Sequence, residues 1–311
     1  MTTTPINSVE ISLLIACYNG GRRIGTTLCS LLDQTLSAER WEAVVINNNS
    51  TDNTAEVVEA FIKAHPEVNI RLVSESKQGL SHARNCGIDN SVGALIAIID
   101  DDEVASPTLL ADYVEFFDSH PEVAAAGGRI VAHYPSGRPE WMTRYTERPI
   151  AGILDLGPEA IPFPAGRYFG GGNMALRRST VERYGKFNPE LGRRGTTLLG
   201  GEEKELYGRL VAGGERVYYL PTAYIEHIIP PSKLSRSYFE AVCHRIGQSE
   251  RIRTLETGRG EYLKRWCAEV VKWCATLVLC TLHTLALHPS KARYLWIMRR
   301  QISKGLGGHK A

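Results

Sequence analysis

Four consecutive acids, Asp100-Asp101-Asp102-Glu103, follow directly on the apolar run Leu95-Ile96-Ala97-Ile98-Ile99. A charge cluster at the end of a buried strand has no packing purpose, so chemistry is the first thing to ask of it. In extended backbone the side chains alternate, which sends Asp100 and Asp102 one way and Asp101 the other. Carboxylates on two faces could hold a divalent cation on one side and a hydroxyl group on the other. Hard oxygen donors select Mg²⁺ or Mn²⁺ over zinc, and no Cys/His grouping stands nearby to argue otherwise. The competing reading is a solvated acidic loop set against the N-terminus of the helix that follows around Leu109.

Other polar clusters are less specific alone. Asn47-Asn48-Asn49-Ser50-Thr51-Asp52 is rich in turn and cap residues. Arg84, within His82-Ala83-Arg84-Asn85, could hold a phosphate or pair with an acid on a neighbouring turn. Gly170-Gly171-Gly172 permits a ligand to approach the backbone closely, or makes a tight turn. Glu202-Glu203 opens a helical pattern. No G-x-x-x-x-G-K-[ST] segment is present and no G-x-G-x-x-G follows the first strand, which argues against ordinary kinases and dinucleotide oxidoreductases.

The elements that must position these residues alternate. Strands are expected at Ile11 to Cys17, Ala43 to Ile46, Ile70 to Val73, Ala94 to Ile99 and Val123 to Tyr134. Between the first four lie helical segments marked by Ile24, Leu28, Leu31 and Leu32, by Ala55, Val58, Phe61 and Ile62, and by Leu80 to Ile88. A further helix is expected from Pro107 to Phe117, with Ser106 as its cap. Uniformly apolar strands separated by amphipathic helices imply a mostly parallel sheet covered on both faces, with ligands outside the carboxyl ends of the strands. The polar clusters after Cys17, Ile46 and Ile99 all fall there. From Pro135 to Phe169 the pattern loosens around six prolines, and a helix near Thr180 and a strand at Val217 to Leu220 follow.

Composition narrows the class. With 311 residues and 43% hydrophobic content, the chain can bury one sizeable core and a modest appendage. The net charge of +2 hides an acidic body and a basic tail, since from Ser232 onward fifteen Lys/Arg face five Glu. That distribution argues against nucleic-acid binding and suits a body tethered towards an anionic surface. Seven cysteines form no C-x-x-C pair, and Met1 to Glu10 lacks signal-peptide character, so reduced thiols in a cytoplasmic compartment are expected. After Pro230-Pro231 long helices are expected. Within them Trp273 to Leu287 carries no formal charge, His aside. That run is shorter than the roughly 20 residues of a spanning helix. Docking at the membrane interface, with Trp266, Trp273 and Trp296 near the headgroups, fits it better; a packed or oligomerising helix is the alternative.

Taken together and in order, these segments resemble the family 2 glycosyltransferases, inverting enzymes with the GT-A fold. Ile15-Ala16-Cys17-Tyr18-Asn19 is similar to the opening strand that meets the nucleotide, and Asn47 to Thr54 to the Asp-Asp-Gly-Ser-Thr-Asp segment. Gly79 to Gly87 resembles the Ala-Arg-Asn-x-Gly helix, and Asp100 to Asp102 the Asp-x-Asp position. Gly171-Gly172-Asn173-Met174-Ala175-Leu176-Arg177-Arg178 resembles the acceptor-side segment, and Gly201-Glu202-Glu203-Lys204-Glu205-Leu206 the Glu-Asp motif with the base. His227, ahead of Pro230-Pro231, falls where some members place a further metal or phosphate contact. Departures are Asn48 in place of an Asp that often pairs with uracil, Gly20 in place of a frequent Glu, and Glu203 in place of an Asp.

The resemblance implies an α/β GT-A fold with a Rossmann-like sheet, followed by a C-terminal helical segment. Residues 1–231 would form the catalytic domain (about 9–134 for the nucleotide-sugar, 135–231 for the acceptor) and 232–311 the helical region. Ala16, Tyr18, Asn19, Asn48, Ser50, Arg84, Asp100 and Asp101 are implied to bind the nucleotide-sugar, and Asp102 and His227 a Mn²⁺ or Mg²⁺ ion. Gly171, Gly172 and Asn173 would meet the acceptor, with Glu203, or Glu202, as the base. The expected function is polysaccharide biosynthesis: transfer from a nucleotide-diphosphate-sugar, UDP first, to a saccharide or lipid-linked acceptor at the cytoplasmic face of a membrane. Two other readings are a non-catalytic nucleotide-sugar-binding membrane-anchored protein and a sugar-nucleotide pyrophosphorylase. The latter would use Gly20-Gly21-Arg22-Arg23 as its phosphate loop.

Overall fold

A computed structural model describes residues 9–195 and 200–308. The polar start up to Ser8 lies outside the described residues. Strands β1 (Ile11–Cys17), β2 (Trp41–Asn47), β3 (Ile70–Ser74) and β4 (Leu95–Asp100) pair in parallel, in the spatial order β3-β2-β1-β4. The remaining strands join antiparallel: β5 (Glu103–Ala105), β6 (Val123–His133), β7 (Ile161–Pro162), β8 (Asn173–Arg177) and β9 (Arg216–Ile228). The sheet as a whole is therefore mixed, its parallel part confined to the first hundred residues.

The near-continuous apolar character of β1 and β4 follows from cover on both faces. Ile11, Leu13 and Ile15 pack with α1 (Ile24–Cys29), α2 (Thr54–Ala64) and α4 (Leu109–Ser119). Leu14 points the other way, towards α3 (Leu80–Asp89), α6 (Arg178–Tyr184) and α7 (Glu202–Ala212). One polar residue breaks the run: Ser12 is fully buried and donates to Glu42 Oε1 at 2.7 Å. Helix α4 starts at Leu109 rather than Pro107, and Ser106 does not cap it. An early amide, that of Leu110, instead finds Gln34 Oε1 at 3.2 Å, satisfying a donor that a helix start leaves open.

The chain divides into two compact units. One comprises the chain up to Val131, Leu154–Glu190 and Glu202–His227; the other comprises Ala132–Ile153, Leu191–Gly201 and Ile228–Ala311. The loosely patterned Pro135–Phe169 stretch thus contributes to both. It holds a helix, α5 (Arg144–Ala151), which the prolines conceal from a reading of periodicity. Thr143 and Thr146 form a reciprocal capping box at its start, and Pro149 is accommodated within it.

The second unit gathers α5 with α8 (Arg236–Thr257), α9 (Arg259–Leu285) and α10 (Pro289–Leu306) around Met142, Ile150, Phe239, Leu295 and Ile302. Trp141 stacks on Tyr294 with ring centroids 3.9 Å apart. Buried Glu269 locks α9 to α10. It accepts from Arg265 at 2.7 Å, Arg299 at 3.0 Å and Ser303 Oγ at 3.0 Å. Burial would push its carboxyl up, but Arg265 and Arg299 hold it below the ordinary range. At 27 residues α9 is much longer than its uncharged stretch, and it is long and apolar enough to cross a membrane by length and composition.

Candidate active site

The carboxyl ends of the parallel strands collect the polar residues, and cross-bonds fix them to one another. At the end of β1, the Asn19 amide donates to Ser50 Oγ at 3.0 Å, while the Thr51 amide donates to Asn19 Oδ1 at 2.8 Å. Asn19 and Asn49 both take left-handed backbone (φ 48° and 58°), a conformation that asparagine tolerates better than most residues. Ala16 lies half-buried opposite Ile46 on one side and Asp100 on the other, with half-buried Tyr18 just beyond.

The glycine loop after Tyr18 is not a phosphate cradle. The amides of Gly20 and Gly21 donate to Thr54 Oγ1 and Asp52 Oδ2, and Arg23 binds the Tyr18 and Asn19 carbonyls. This removes the feature on which a pyrophosphorylase reading rested. Gly20 itself is dictated by space: a Cβ there would lie 2.3 Å from Cys17 Sγ and 2.6 Å from Asp101 Oδ2. Burial pushes the Cys17 thiol up, so it offers no thiolate.

Each of the four acids has its own partner, and they do not alternate, because Asp101 and Asp102 form a turn between β4 and β5. Asp100 accepts from Arg84 Nη2 at 3.1 Å. Asp101 receives Arg23 through two bonds, 2.9 Å from Nε and 2.8 Å from Nη2. Burial raises its carboxyl, and Arg23 opposes that. Asp102 Oδ2 lies 3.5 Å from His227 Nε2. Glu103 accepts the Asp100 amide at 2.7 Å. Burial of Asp101 and Glu103, at 7% and 2% exposure, excludes a merely solvated loop. Arg23, read from the sequence only as part of a candidate phosphate loop, is the partner that sequence reasoning missed.

Three residues expected to meet ligands are bonded to protein groups in this structure. Arg84 is 1% exposed and reaches Glu202 Oε1 at 2.7 Å, Asp100 at 3.1 Å and the Gly171 carbonyl at 2.8 Å. Its two terminal nitrogens bond protein oxygens, while its Nε has no partner. Burial lowers its proton affinity, yet Asp100, Glu202 and Glu203 outweigh that and keep it cationic. Asn48, 3% exposed, donates to the Glu75 and Lys77 carbonyls and accepts from the Gly79 amide, so its amide is not free for a base. Asn173 is fully buried, donating to the Arg129 and Ala223 carbonyls and accepting from Tyr113 Oη. It is a strut, not an acceptor contact. Gly171 and Gly172 are needed for closeness: at Gly172 a Cβ would meet Glu103 Oε1 at 2.0 Å.

Glu202 and Glu203 sit in the first turn of α7. Glu202 is buried against Arg84, with its Oε2 unpartnered. Glu203 is half-buried. Desolvation first, and then the Glu202 charge, push its carboxyl up to about 8. A carboxyl so tuned can take a proton near neutral pH, which suits a general base. Among the described residues no group of three His, Cys, Asp or Glu forms a metal cage. The Asp102–His227 pair offers one carboxylate and one imidazole. A small divalent ion held by one or two protein groups ordinarily completes its shell with phosphate oxygens and water.

The chain is 24% identical over 246 residues to the succinoglycan biosynthesis protein ExoM of Rhizobium meliloti, covering 79% of this chain and 75% of that one. It is 36% identical over 100 residues to the uncharacterized glycosyltransferase YibD of Escherichia coli, a match to 32% of this chain and only 28% of that protein. The mannosyltransferase PcManGT of Pyrobaculum calidifontis, solved with GDP-Man and Mn²⁺, superposes with a TM-score of 0.64 at 17% identity, covering 97% of this chain and 88% of that one. Its likeness establishes the GT-A fold. The family model described as Glycosyl transferase family 2 matches residues 12–185, and this chain belongs to that family.

Proposed function

We propose that the chain moves a sugar from a nucleoside-diphosphate-sugar to a hydroxyl of a saccharide or lipid-linked acceptor, by a single displacement that inverts the anomeric centre. The observation that carries this reading is the Arg84 bridge, which ties the acid ending β4 to Glu202, beside Glu203. The donor-side acid and the neighbour of the acceptor-side base thereby belong to one hydrogen-bonded assembly. Glu203 takes the acceptor proton. Glu202 and Arg84 are positioning residues, the first raising the proton affinity of Glu203 and the second holding Glu202 in place.

Asp102 and His227 would hold Mn²⁺ or Mg²⁺, which supplies Lewis-acid stabilisation of the leaving diphosphate. PcManGT binding GDP-Man with Mn²⁺ supports that donor class. The Asn48 amide, bonded to the Glu75 and Lys77 carbonyls, does not decide between uracil and another base.

A thermal-shift screen of UDP-, GDP- and dTDP-sugars, each with Mn²⁺, with Mg²⁺ and with chelator, tests the reading. One donor should raise Tm in the presence of metal, growing with concentration, and Asp102→Ala should abolish the metal-dependent part. Equal stabilisation of Asp102→Ala and wild type, with and without metal, would overturn it.

A further inference from the structure

Helix α9 leaves one face without cover. Leu263, Val270 and Leu277 form one row seven residues apart, and Val271, Val278 and Leu285 form the next, all between 50% and 76% exposed. Leu282 and Leu287 extend the patch at 56% and 86%. Only 11% of the helix's most apolar window is buried, and contiguous exposed apolar rows of this kind mark interaction surfaces. The opposite face cannot roll round to hide these side chains, because Glu269 is bonded to Arg265, Arg299 and Ser303.

The charges around the patch select what covers it. From Tyr262 to Gly308 the single acid is Glu269, which is fully buried. Every exposed charged side chain in that span is positive: Lys264, which pairs with exposed Glu261 just before it, Lys272, Arg293, Arg300 and Lys304. A second copy docking through the same face would set this basic rim against itself. An anionic lipid surface would meet it with opposite charge and take up the aliphatic rows. Trp296, 45% exposed and set edge-on to Trp273 at 5.0 Å, brings an indole to the same region.

We infer that α9 docks lengthwise on an anionic bilayer, its two aliphatic rows entering the acyl boundary and the basic rim meeting the headgroups. It lies in the interface and does not cross. A spanning helix would be ringed by lipid, whereas this one keeps its far side on α8 and α10 through an ionic network. The inference is independent of the sugar chemistry.

Flotation of the full chain with phosphatidylcholine vesicles, with and without about 30 mol% phosphatidylglycerol, tests it. Wild type should float with the anionic vesicles and be released by salt. V271Q/V278Q/L285Q should melt as wild type does and partition roughly tenfold or more weakly. If the triple variant melts early, the single substitution Leu285→Gln near the helix end serves instead. K272Q/R293Q/R300Q should lose the preference for anionic over neutral vesicles. Wild type remaining unbound to both vesicle types would overturn the inference. So would a stable dimer in solution that V271Q/V278Q/L285Q dissociates, which would assign the face to a second copy.

Discussion

The acid run after β4 and the outer face of α9 are opposite cases of the same accounting. At the first, four charges crowd four consecutive positions, and each has its own partner: Arg84, Arg23, His227 and the Asp100 amide. At the second, aliphatic side chains that any core would accept have none. Polar groups that fold so completely against one another are prepared for a ligand of defined shape. Apolar groups left bare are prepared for a phase, which needs no shape at all. The two regions should therefore fail independently, and differently.

Glu203→Gln should bring the largest change. Loss of the base should reduce transfer about 10²–10⁴-fold while the thermal shift from donor and metal persists. The same substitution has a signature in stability. The folded protein raises this carboxyl from its ordinary 4.5 to about 8, so it favours the protonated form. Stability from that source is intact below about 4.5 and is lost as pH climbs through about 8. Glu203→Gln, which cannot ionise, should therefore melt higher than wild type at pH 8, with the gain shrinking as pH falls. A variant that melts lower at every pH would show that the carboxyl is structural.

Arg84→Met comes next. It strands Glu202 and Asp100 without their cation, and breaking a buried pair by removing one member costs about 3–5 kcal/mol, measurable by denaturant unfolding. An unchanged midpoint would mean that the bridge is not holding the site together.

Glu202→Gln is gentler, since an amide can still accept from Arg84. Removing its charge should move the acid limb of the pH–rate profile down by roughly one pH unit. A limb that stays put would leave burial alone as the cause of Glu203's affinity. The smallest effect is expected across the regions: V271Q/V278Q/L285Q should turn over a soluble acceptor within about twofold of wild type, as sites with no shared partners act additively.

Much of this was legible in the residues. Apolar runs punctuated by Asn, Asp and Gly marked the parallel strands and the sheet end where ligands sit, because burial on both faces leaves so plain a signature. The antiparallel remainder was not. β5 has three residues and β7 two, too few for a period to register, and α5 was concealed by its own prolines. At the site, sequence named the acids but not their partners. Arg23 lies 78 positions from Asp101 and Glu202 118 positions from Arg84. Such pairings are properties of the fold, and no local spacing announces them. The same holds for Asn48 and Asn173, whose amides bond inward to carbonyls that sequence cannot locate. The outer face of α9 was foreshadowed by its uncharged run, though its angle was set by Glu269, a residue outside that run.

The missing Cβ atoms at Gly20 and Gly172 leave space that the carboxylates of Asp101 and Glu103 occupy. Each glycine is thus hostage to an acid about eighty or seventy positions away in the chain. Through descent, the members of each couple should drift together: a lineage that trims the acid frees the small residue to grow, and one that keeps the acid forbids it.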